Sequence, residues 1–321
     1  MQYNHLGGTG LSVSRVCMGT MTFGSRMPQQ AQVDTAVATA LDRGINFFDT
    51  ADQYVDGKSE QMLGIALGAR RKDVVIASKV GYPCMEKKVF SLSRGSILDG
   101  VDGSLRRLGT DYIDIYYLHS PDYGTPLEES LEALNDVVRQ GKVRYIGMSN
   151  YAAWQMCEAV HICRENHWAV PVVSETCYNA LTRGAENELV PFMTEKKIGM
   201  TVFNPLAGGM LTGKHKRGTP TAGTRFENPN YQKRYWREDN FRAIDELTAL
   251  ADKLGISLLS LSYRWLLSRP WVSSIICGFS NLEQMNVNLA ATEGGPLPGE
   301  IMSACDAVWE SINGGRVQYN R

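Results

Sequence analysis

The sequence predicts an α/β fold of the (β/α)8, or TIM-barrel, type, in which eight parallel strands form a closed barrel surrounded by helices. Three observations predict it. Short apolar runs alternate with longer amphipathic segments along nearly the whole chain of 321 residues, and this alternation is typical of βαβ units with a parallel sheet. The alternation occurs eight times, and no Pro-, Gly- or Ser-rich linker interrupts it. We therefore expect residues 1–321 to form a single barrel domain.

The predicted strands are short runs rich in Val, Ile, Phe and Tyr, which are residue types that strands favour. They span residues 16–19, 46–49, 74–79, 113–119, 143–149, 172–175, 200–204 and 274–278. Between them, apolar residues recur at helical spacing, most clearly in 32–43, 93–108, 127–139, 154–164 and 241–253. An open, doubly wound sheet is the competing arrangement, and it usually has a G-x-G-x-x-G motif after its first strand. Here GTMTFG (19–24) follows the first strand and lacks that spacing, so the closed barrel is favoured.

Three segments extend or interrupt the eightfold pattern. Residues 3–13, with GGTG at their centre, predict an N-terminal β-hairpin that closes the bottom of the barrel. Residues 298–312 predict an extra C-terminal helix, which a polar tail follows to residue 321. Residues 214–236 are rich in Lys, Arg, Gly, Pro and Asn and predict a long polar loop. Long loops after barrel strands usually serve ligand binding.

The overall composition argues against several classes of protein. Lys and Arg total 33 against 34 Asp and Glu, so the formal net charge is −1, and neither a nucleic-acid nor a membrane partner is expected. The seven Cys form no C-x-x-C pair, which indicates reduced thiols rather than disulfides. The N-terminus lacks the regions of a signal peptide, and no apolar run approaches the length of a membrane span. We expect a cytoplasmic protein, and the spacing of its His residues predicts no metal site.

Charged or hydrogen-bonding residues end most of the predicted strands, at the side of the barrel where active sites form. Asp49 ends the second strand, Lys79 the third and His119 the fourth, and Tyr54 follows in the loop after Asp49. A neighbouring ammonium group lowers the pKa of a Tyr hydroxyl from its usual ~10, and Asp49 would keep Lys79 charged. His119 would hydrogen-bond the substrate oxygen that Tyr54 protonates. Tyr54 is thus the predicted general acid, worth roughly 10²- to 10⁴-fold in rate, for a reaction in which hydride transfer turns a carbonyl into an alkoxide.

Four segments of the sequence resemble signatures of the aldo-keto reductase family. They are GINFFDTADQY (44–54) with the pairs Ser59-Glu60 and Leu63-Gly64, LGTDYID (108–114) leading to His119, GKVRYIGMSN (141–150) and PLAGGMLTGK (205–214). The resemblance extends from about residue 3 to residue 288, and it is to bacterial-type members near the branch of the potassium-channel β subunits. It implies an NAD(P)H-dependent oxidoreductase that reduces an aldehyde or ketone to an alcohol. NADPH is the expected cofactor, with NADH as the alternative.

The resemblance also implies roles for individual residues. Asp49, Tyr54, Lys79 and His119 match the family's catalytic tetrad, in which the Tyr is the proton donor. The positions that match cofactor-binding residues are Gly19, Thr20, Met21, Asp49, Ser149, Asn150, Glu175, Phe203, Asn204, Pro205, Leu206, Gly208, Lys214, Arg225, Gly278, Ser280, Gln284 and Asn288. In the family, the residues that match Ser149 and Asn150 hold the nicotinamide carboxamide, and an aromatic side chain stacks on its ring. The 205–214 segment matches the pyrophosphate loop, Arg225 an adenine-stacking residue, and the positions from 280 to 288 the adenosine end.

Three positions depart from the family's pattern. Glu175 stands where a Gln usually meets the nicotinamide carboxamide, and a carboxylate accepts a hydrogen bond from the amide nitrogen but cannot donate one to its oxygen. Phe203 replaces the more usual Tyr or Trp. Gln284 stands where an Arg is often found, and no basic residue is evident beside Ser280 to bind a 2′-phosphate. For this reason NADH stays an alternative to NADPH.

Two other functions fit parts of the sequence. Lys79 would be the nucleophilic amine of a Schiff-base lyase in the same fold, although a neighbouring Asp49 should raise the pKa of that amine. A cofactor-sensing regulatory subunit, like the potassium-channel β subunits, also fits the resemblance. Residues 208–214 match most of a nucleotide-phosphate loop, but His215 stands where a Ser or Thr should bind Mg²⁺, which weakens an NTPase interpretation.

The sequence leaves the identity of the carbonyl substrate open. Sugar aldehydes, small aliphatic aldehydes, aromatic ketones and xenobiotic carbonyls all fit the predicted chemistry. The loops at 21–27, 81–90 and 214–236, together with the C-terminal tail, are expected to decide among them. In the second of these loops, Tyr82, Met85 and Phe90 are interpreted as loop packing rather than as a substrate clamp. Oligomeric state and physiological direction are likewise open.

Overall fold

A computed structural model describes residues 1–84, 88–220 and 222–313 of the chain. Eight parallel strands form a closed barrel, which confirms the predicted fold class. The strands in chain order are β1 (Tyr3–His5), β2 (Ser12–Ser14), β3 (Val16–Gly19), β4 (Phe47–Asp49), β5 (Val75–Val80), β6 (Ile113–Leu118), β7 (Val143–Ser149), β8 (Val173–Cys177), β9 (Gly199–Phe203) and β10 (Ser274–Cys277). Strand β10 pairs with both β3 and β9 and so closes the ring. Each barrel strand lies within two residues of its predicted bounds.

Amphipathic helices cover the outside of the barrel. They are α1 (Gln30–Asp42), α2 (Lys58–Leu67), α3 (Arg94–Leu108), α4 (Leu127–Arg139), α5 (Ala153–Glu165), α6 (Leu189–Lys196), α7 (Pro229–Tyr235), α8 (Glu238–Lys253), α9 (Leu258–Leu267), α10 (Leu282–Ala291) and α11 (Gly299–Asn313). Helix α4 shows why they form. Leu131, Leu134 and Val137 recur at helical spacing and are buried together, and Glu128 and Glu129 lie in the first turn, where acidic side chains stabilise the helix dipole.

The pleat of the strands decides which side chains enter the barrel. An inner cluster is formed by alternate strand residues, among them Phe47, Ala77 and Val173, whereas the intervening residues such as Phe48 and Ile76 pack in a larger cluster with the helices. Successive side chains of a strand point to opposite faces. The residue two positions after each inner residue therefore also faces the interior. For three strands that residue is charged: Asp49, Lys79 and Glu175.

The predicted N-terminal hairpin is present and closes the bottom of the barrel. Strands β1 and β2 pair in antiparallel fashion, and Leu6 and Val13 are fully buried in the inner cluster. Gly7 has a φ of +58°, and a Cβ on it would lie 2.5 Å from the carbonyl oxygen of Lys197. Glycine is thus required where the hairpin turn meets the chain between α6 and β9.

The segment 214–236, predicted as a polar loop, is more ordered than its composition indicated. It contains a short 3₁₀ turn at Arg225–Glu227 and helix α7. The helix begins because the Asn228 side chain accepts a hydrogen bond from the backbone N–H of Asn230, with Pro229 at the first helical position. Phe226 and Tyr235, both within the segment, are buried. These two buried side chains therefore fix the position of a segment whose average composition is polar.

The predicted C-terminal helix is observed as α11, and it is held by ion pairs. Asp306 on this helix pairs with Arg183, whose Nη1 lies 2.7 Å from Oδ1, and also with Arg269. The polar tail at 314–321, like Met85 in the loop after β5, lies outside the described residues. Within the residues that are described, no helix is long and apolar enough to cross a membrane.

Candidate active site

Three charged side chains meet inside the barrel at the carboxyl ends of β4, β5 and β8. The Nζ atom of Lys79 lies 2.6 Å from Oδ1 of Asp49 and 3.5 Å from Oε2 of Glu175. It also donates to the backbone oxygen of Thr50 at 2.9 Å. Lys79 is fully buried, and Asp49 and Glu175 are only 2% and 3% exposed. The cluster therefore contains two carboxyl groups and one ammonium group, shielded from water.

Tyr54 reaches this cluster from the loop after β4. Its hydroxyl oxygen lies 3.4 Å from Lys79 Nζ, which also approaches the Tyr54 ring to 5.0 Å from the centroid. A group of buried hydroxyls fixes the base of the loop. Ser59 donates to the backbone oxygen of Thr20 at 2.8 Å, and the Thr20 hydroxyl donates to the backbone oxygen of Asp49 at 2.9 Å. Sequence reasoning missed the Ser59–Thr20 contact, because it joins two different loops.

Burial and mutual interaction shift the pKa values of these groups. Burial raises the pKa of Glu175 well above its usual range, and the neighbouring Asp49 carboxyl raises it further. Burial also raises the pKa of Asp49, although Lys79 opposes that rise. Burial alone would lower the pKa of the Lys79 ammonium, but the Asp49 and Glu175 carboxyls outweigh burial and raise that pKa well above its ordinary value. Lys79 is therefore a permanent cation at neutral pH.

The pKa of Tyr54 differs from the sequence-based expectation. Lys79 was expected to lower it, and the ammonium group does act in that direction. Burial acts more strongly and raises the pKa of the hydroxyl, and the Asp49 and Glu175 carboxyls add to the rise. The net shift is upward. Tyr54 thus stays protonated, as a proton donor must, and Lys79 limits how weak an acid it becomes.

His119 follows β6 and lies beside Tyr54. Their rings meet edge to face with centroids 6.1 Å apart, and the Tyr82 ring also meets the imidazole edge to face, at 5.0 Å. Burial and the nearby Lys79 ammonium lower the pKa of His119 well below its usual value. The imidazole is therefore neutral at pH 7, with one nitrogen able to donate a hydrogen bond and one able to accept. Tyr82 thus contacts a predicted catalytic residue, besides packing on Phe90 at 5.1 Å within its own loop.

The ends of β7, β8 and β9 form the adjacent wall of the mouth. Ser149 on β7 is opposite Glu175 on β8 in the sheet register. Asn150 has a φ of +64°, and its amide donates to the backbone oxygen of His119 at 2.9 Å and to Ser149 Oγ at 3.1 Å. The residues predicted to hold the carboxamide are therefore neighbours. Phe203 ends β9 and is half-buried.

The chain after β9 forms a strained turn. Asn204, Ala207, Gly208 and Gly209 all have positive φ values, of 56°, 50°, 70° and 109°. The side chain of Asn204 fixes the turn, because its Oδ1 accepts from the backbone N–H of Gly208 at 2.7 Å and its amide donates to the Tyr235 hydroxyl at 2.6 Å. Pro205 is buried, whereas Lys214 is exposed at the end of the segment. Strain of this kind is typical of ligand-binding turns.

The start of α10 forms the far end of the mouth. The Oε1 atom of Gln284 accepts a hydrogen bond from the backbone N–H of Ser280 at 2.7 Å, and the Asn288 amide donates to the backbone oxygen of Gly278 at 2.9 Å. These predicted adenosine residues are thus neighbours, and Gln284 already serves the protein's own backbone. Arg225 is exposed on the 214–236 segment and donates to the Tyr231 hydroxyl at 3.3 Å.

Comparison with known proteins shows the family of the chain. Residues 15–310 match the model of the Aldo/keto reductase family. The chain belongs to the aldo-keto reductase family. It is 37% identical to a probable voltage-gated potassium channel subunit beta of Oryza sativa subsp. japonica, over 97% of each chain. It is 38% identical to aflatoxin B1 aldehyde reductase member 2 of Rattus norvegicus, over 92% of this chain and 84% of that protein. Aldo-keto reductase family 7 member A3 of Homo sapiens is 36% identical, over 92% and 93%.

This aldo-keto reductase brings most of its predicted site residues to one mouth, but not all of them face it. At the end of β3, Gly19 is buried and Thr20 is used in hydrogen bonds to Asp49 and Ser59, so the Thr20 hydroxyl is not directed to a ligand. Met21 beside them is 44% exposed. Sequence reasoning placed Glu175 at the mouth but missed its approach to Lys79, since that contact joins strands that are not neighbours in the sheet.

Proposed function

We propose that this aldo-keto reductase reduces a small-molecule aldehyde or ketone to the alcohol, with NADPH as the hydride donor and NADH as the alternative. The observation that best supports the proposal is the contact of Tyr54 with a buried cation. The phenolic oxygen lies 3.4 Å from Lys79 Nζ, which Asp49 holds at 2.6 Å. When Tyr54 gives its proton to a developing alkoxide it becomes a phenolate, and the Lys79 ammonium beside it stabilises that negative charge.

The barrel mouth fits a nicotinamide dinucleotide. Three of its buried polar atoms, Asp49 Oδ2, Glu175 Oε2 and His119 Nδ1, have no hydrogen-bond partner within the described residues, and such atoms call for a ligand or water. When bound, the cofactor supplies the hydride. We propose that Ser149, Asn150 and Glu175 hold its carboxamide and that Phe203 stacks on its ring. Leu206, Gly208 and Lys214 would hold the pyrophosphate. The adenosine would contact Arg225, Ser280, Gln284 and Asn288.

Each residue of the proposed tetrad has a distinct task in the reaction. Neutral His119 donates a hydrogen bond to the substrate carbonyl oxygen and so orients the carbonyl. As hydride reaches the carbon, the Tyr54 O–H transfers its proton to that oxygen. The Lys79 ammonium stabilises the phenolate that Tyr54 becomes, and Asp49 keeps the ammonium in position. A Schiff-base lyase is disfavoured, because an amine whose pKa is raised by two carboxyls is a poor nucleophile.

The proposal is tested by following the oxidation of NADPH and NADH at 340 nm with a panel of aldehydes, ketones and sugars. We expect Tyr54→Phe to lower kcat by about 10²- to 10⁴-fold while the quenching of Trp fluorescence by the cofactor is retained. Tyr3→Phe is the matched control, because Tyr3 lies on the hairpin at the opposite end of the barrel, where its hydroxyl donates to the backbone oxygen of Gly44 at 2.7 Å. Equal loss in both variants would contradict the assignment of Tyr54.

A second candidate function rests on the similarity to a probable potassium channel subunit beta. In that case the chain binds the cofactor and conveys its oxidation state to another protein. The same experiment separates the two functions. Cofactor binding without turnover of any carbonyl in the panel would favour the regulatory function, whereas turnover that requires Tyr54 would favour the reductase.

A further inference from the structure

Glu175 places a second carboxyl group on the lysine of the proposed tetrad. Its Oε2 lies 3.5 Å from Lys79 Nζ, whereas Asp49 Oδ1 lies 2.6 Å from the same atom. Neither Glu175 Oε2 nor Asp49 Oδ2 receives a hydrogen bond from the described residues. One ammonium group balances one carboxylate, and a second buried negative charge without donors is strongly unfavourable. One of the two carboxyl groups therefore keeps a proton, and Glu175, the more distant from Lys79, is the one that holds it.

No other group around Glu175 changes this balance. The titratable groups that face it from the surrounding elements are Asp49, Lys79, Cys17, Tyr117 and the Tyr54 hydroxyl. Burial raises the pKa values of Cys17 and Tyr117 well above their usual ranges, so both stay neutral. The neighbouring strands place Ser149 and Thr201 opposite Glu175 in the register, and neither residue titrates. Lys79 is thus the only cation among the described residues in this set.

We propose that Glu175 is the proton reservoir of the site: it holds a proton beside the reduced cofactor and passes it through Lys79 to Tyr54 when the cofactor is oxidised. The inference rests on the proposed function, which places the nicotinamide at this mouth. A reduced nicotinamide ring is uncharged, whereas the oxidised ring carries one positive charge. That charge stabilises the ionised form of Glu175. A Gln at this position, as is usual in the family, has no proton to give.

The proton transfer balances in atoms and charge. Tyr54 gives its hydroxyl proton to the alkoxide oxygen and becomes a phenolate. In one concerted step, a Lys79 N–H bond breaks to restore the Tyr54 O–H over the 3.4 Å contact and the Glu175 O–H gives its proton to Lys79 over the 3.5 Å contact, so Lys79 remains an ammonium group. Glu175 ends with one negative charge, which would balance the one positive charge of an oxidised nicotinamide ring bound at this mouth. Solvent returns a proton to Glu175 before the next turnover.

The experiment measures proton release on cofactor binding, without substrate, by a pH indicator dye in weakly buffered solution. We expect NADP⁺ to release up to about one proton per site more than NADPH releases near neutral pH. Because both cofactors carry the same phosphates, the difference between them reports the ring charge alone. The affinity for NADP⁺ relative to NADPH should also rise with pH, by up to about tenfold per pH unit.

The variant Glu175→Gln should abolish this difference and leave the ratio of the two affinities independent of pH, while the exposed control Glu246→Gln behaves as the wild type. Circular dichroism checks that the variant is folded, and the wild-type comparison of the two cofactors stands without any variant. Equal proton release for NADP⁺ and NADPH, in a protein whose carbonyl turnover requires Tyr54, would overturn the inference and leave the proposed function intact. Failure to bind either cofactor would overturn both.

Discussion

Two buried groups, at opposite ends of the barrel strands, each combine carboxyl and basic side chains but differ in how many hydrogen-bond donors each carboxyl has. Near the start of β6, Asp114 is 1% exposed and accepts hydrogen bonds from Arg71 at 2.7 Å, Arg144 at 3.0 Å and the backbone N–H of Ile76 at 2.9 Å. Both guanidinium groups also stack on the Tyr112 ring, at 4.1 and 3.7 Å. Every oxygen of this carboxylate has a donor.

At the mouth, two carboxyl groups face one cation, whereas the Asp114 carboxylate faces two. Asp49 and Glu175 share Lys79, and one oxygen of each carboxyl lacks a donor among the described residues. Removing a carboxylate that faces more than one cation leaves buried positive charge uncompensated, which is strongly destabilising. Two carboxyls with one cation keep a proton that they can release. The number of donors around a buried carboxyl thus separates the part of this barrel that holds the fold from the part proposed to do chemistry.

We call Asp114 with Arg71 and Arg144 the lower group, and Asp49, Lys79 and Glu175 the upper group. The largest expected effect is at the lower group. Asp114→Asn leaves the Arg71 cation, which is 12% exposed, without its partner, and we expect the free energy of unfolding to fall by about 3 kcal/mol. Urea unfolding followed by circular dichroism measures it. Asp102→Asn is the control, because its ion pair with Lys142 is half-exposed and should contribute less than about 1 kcal/mol. A loss of carbonyl turnover in Asp114→Asn beyond its loss of folded protein would contradict the separation of the two groups.

The same type of substitution at the mouth should act in the opposite direction. The pKa of Glu175 is raised by burial and by Asp49, so the native state holds a proton that the unfolded chain releases above the ordinary pKa of Glu. Rising pH therefore stabilises the unfolded state, and stability is lost by up to about 1.4 kcal/mol per pH unit. Glu175→Gln removes this loss.

Urea unfolding of the cofactor-free protein between pH 5 and pH 8 tests the sign. We expect Glu175→Gln to unfold close to the wild type at pH 5 and at higher urea than the wild type at pH 8. Glu246→Gln, on the exposed face of α8, should follow the wild type throughout. If Glu175→Gln lowers stability equally at both pH values, Glu175 is ionised in the native state and behaves like Asp114.

The sequence predicted the upper group better than the lower one. Asp49, Lys79 and Glu175 could be assigned to one mouth, because each ends an apolar strand of a parallel barrel. The proximity of Glu175 to Lys79 could not, because it depends on how far the barrel's register is staggered between β5 and β8. The upward pKa shift of Tyr54 was missed for a related reason: the extent of burial depends on loops whose packing is not local.

The lower group gave no signal of this kind, although two of its residues lie in recognised segments. Asp114 and Arg144 belong to the LGTDYID and GKVRYIGMSN segments, while Arg71 comes from the 3₁₀ turn after α2. No local pattern predicts that three separate segments place two guanidinium groups on one carboxylate. Similarly, the polar composition of residues 214–236 did not predict helix α7. The start of the helix depends on the Asn228 cap, and its position depends on the buried Phe226 and Tyr235.

The smallest expected effect is that of Arg144→Met. It tests whether the two groups differ because of the number of cations or because of the number of hydrogen-bond donors around each carboxyl. Arg144 is 52% exposed, whereas Arg71 is 12% exposed. We expect Arg144→Met to lower the free energy of unfolding by about 1 kcal/mol, since an exposed ion pair and its stacking on Tyr112 contribute that order. Asp114 would keep Arg71 and the Ile76 N–H. A loss in urea unfolding as large as that of Asp114→Asn would mean that both cations are needed, and cation number would then be the distinction. A small loss means that one buried cation suffices when the carboxylate is otherwise hydrogen-bonded, so that the missing donors at the mouth, rather than its single lysine, keep a proton on Glu175.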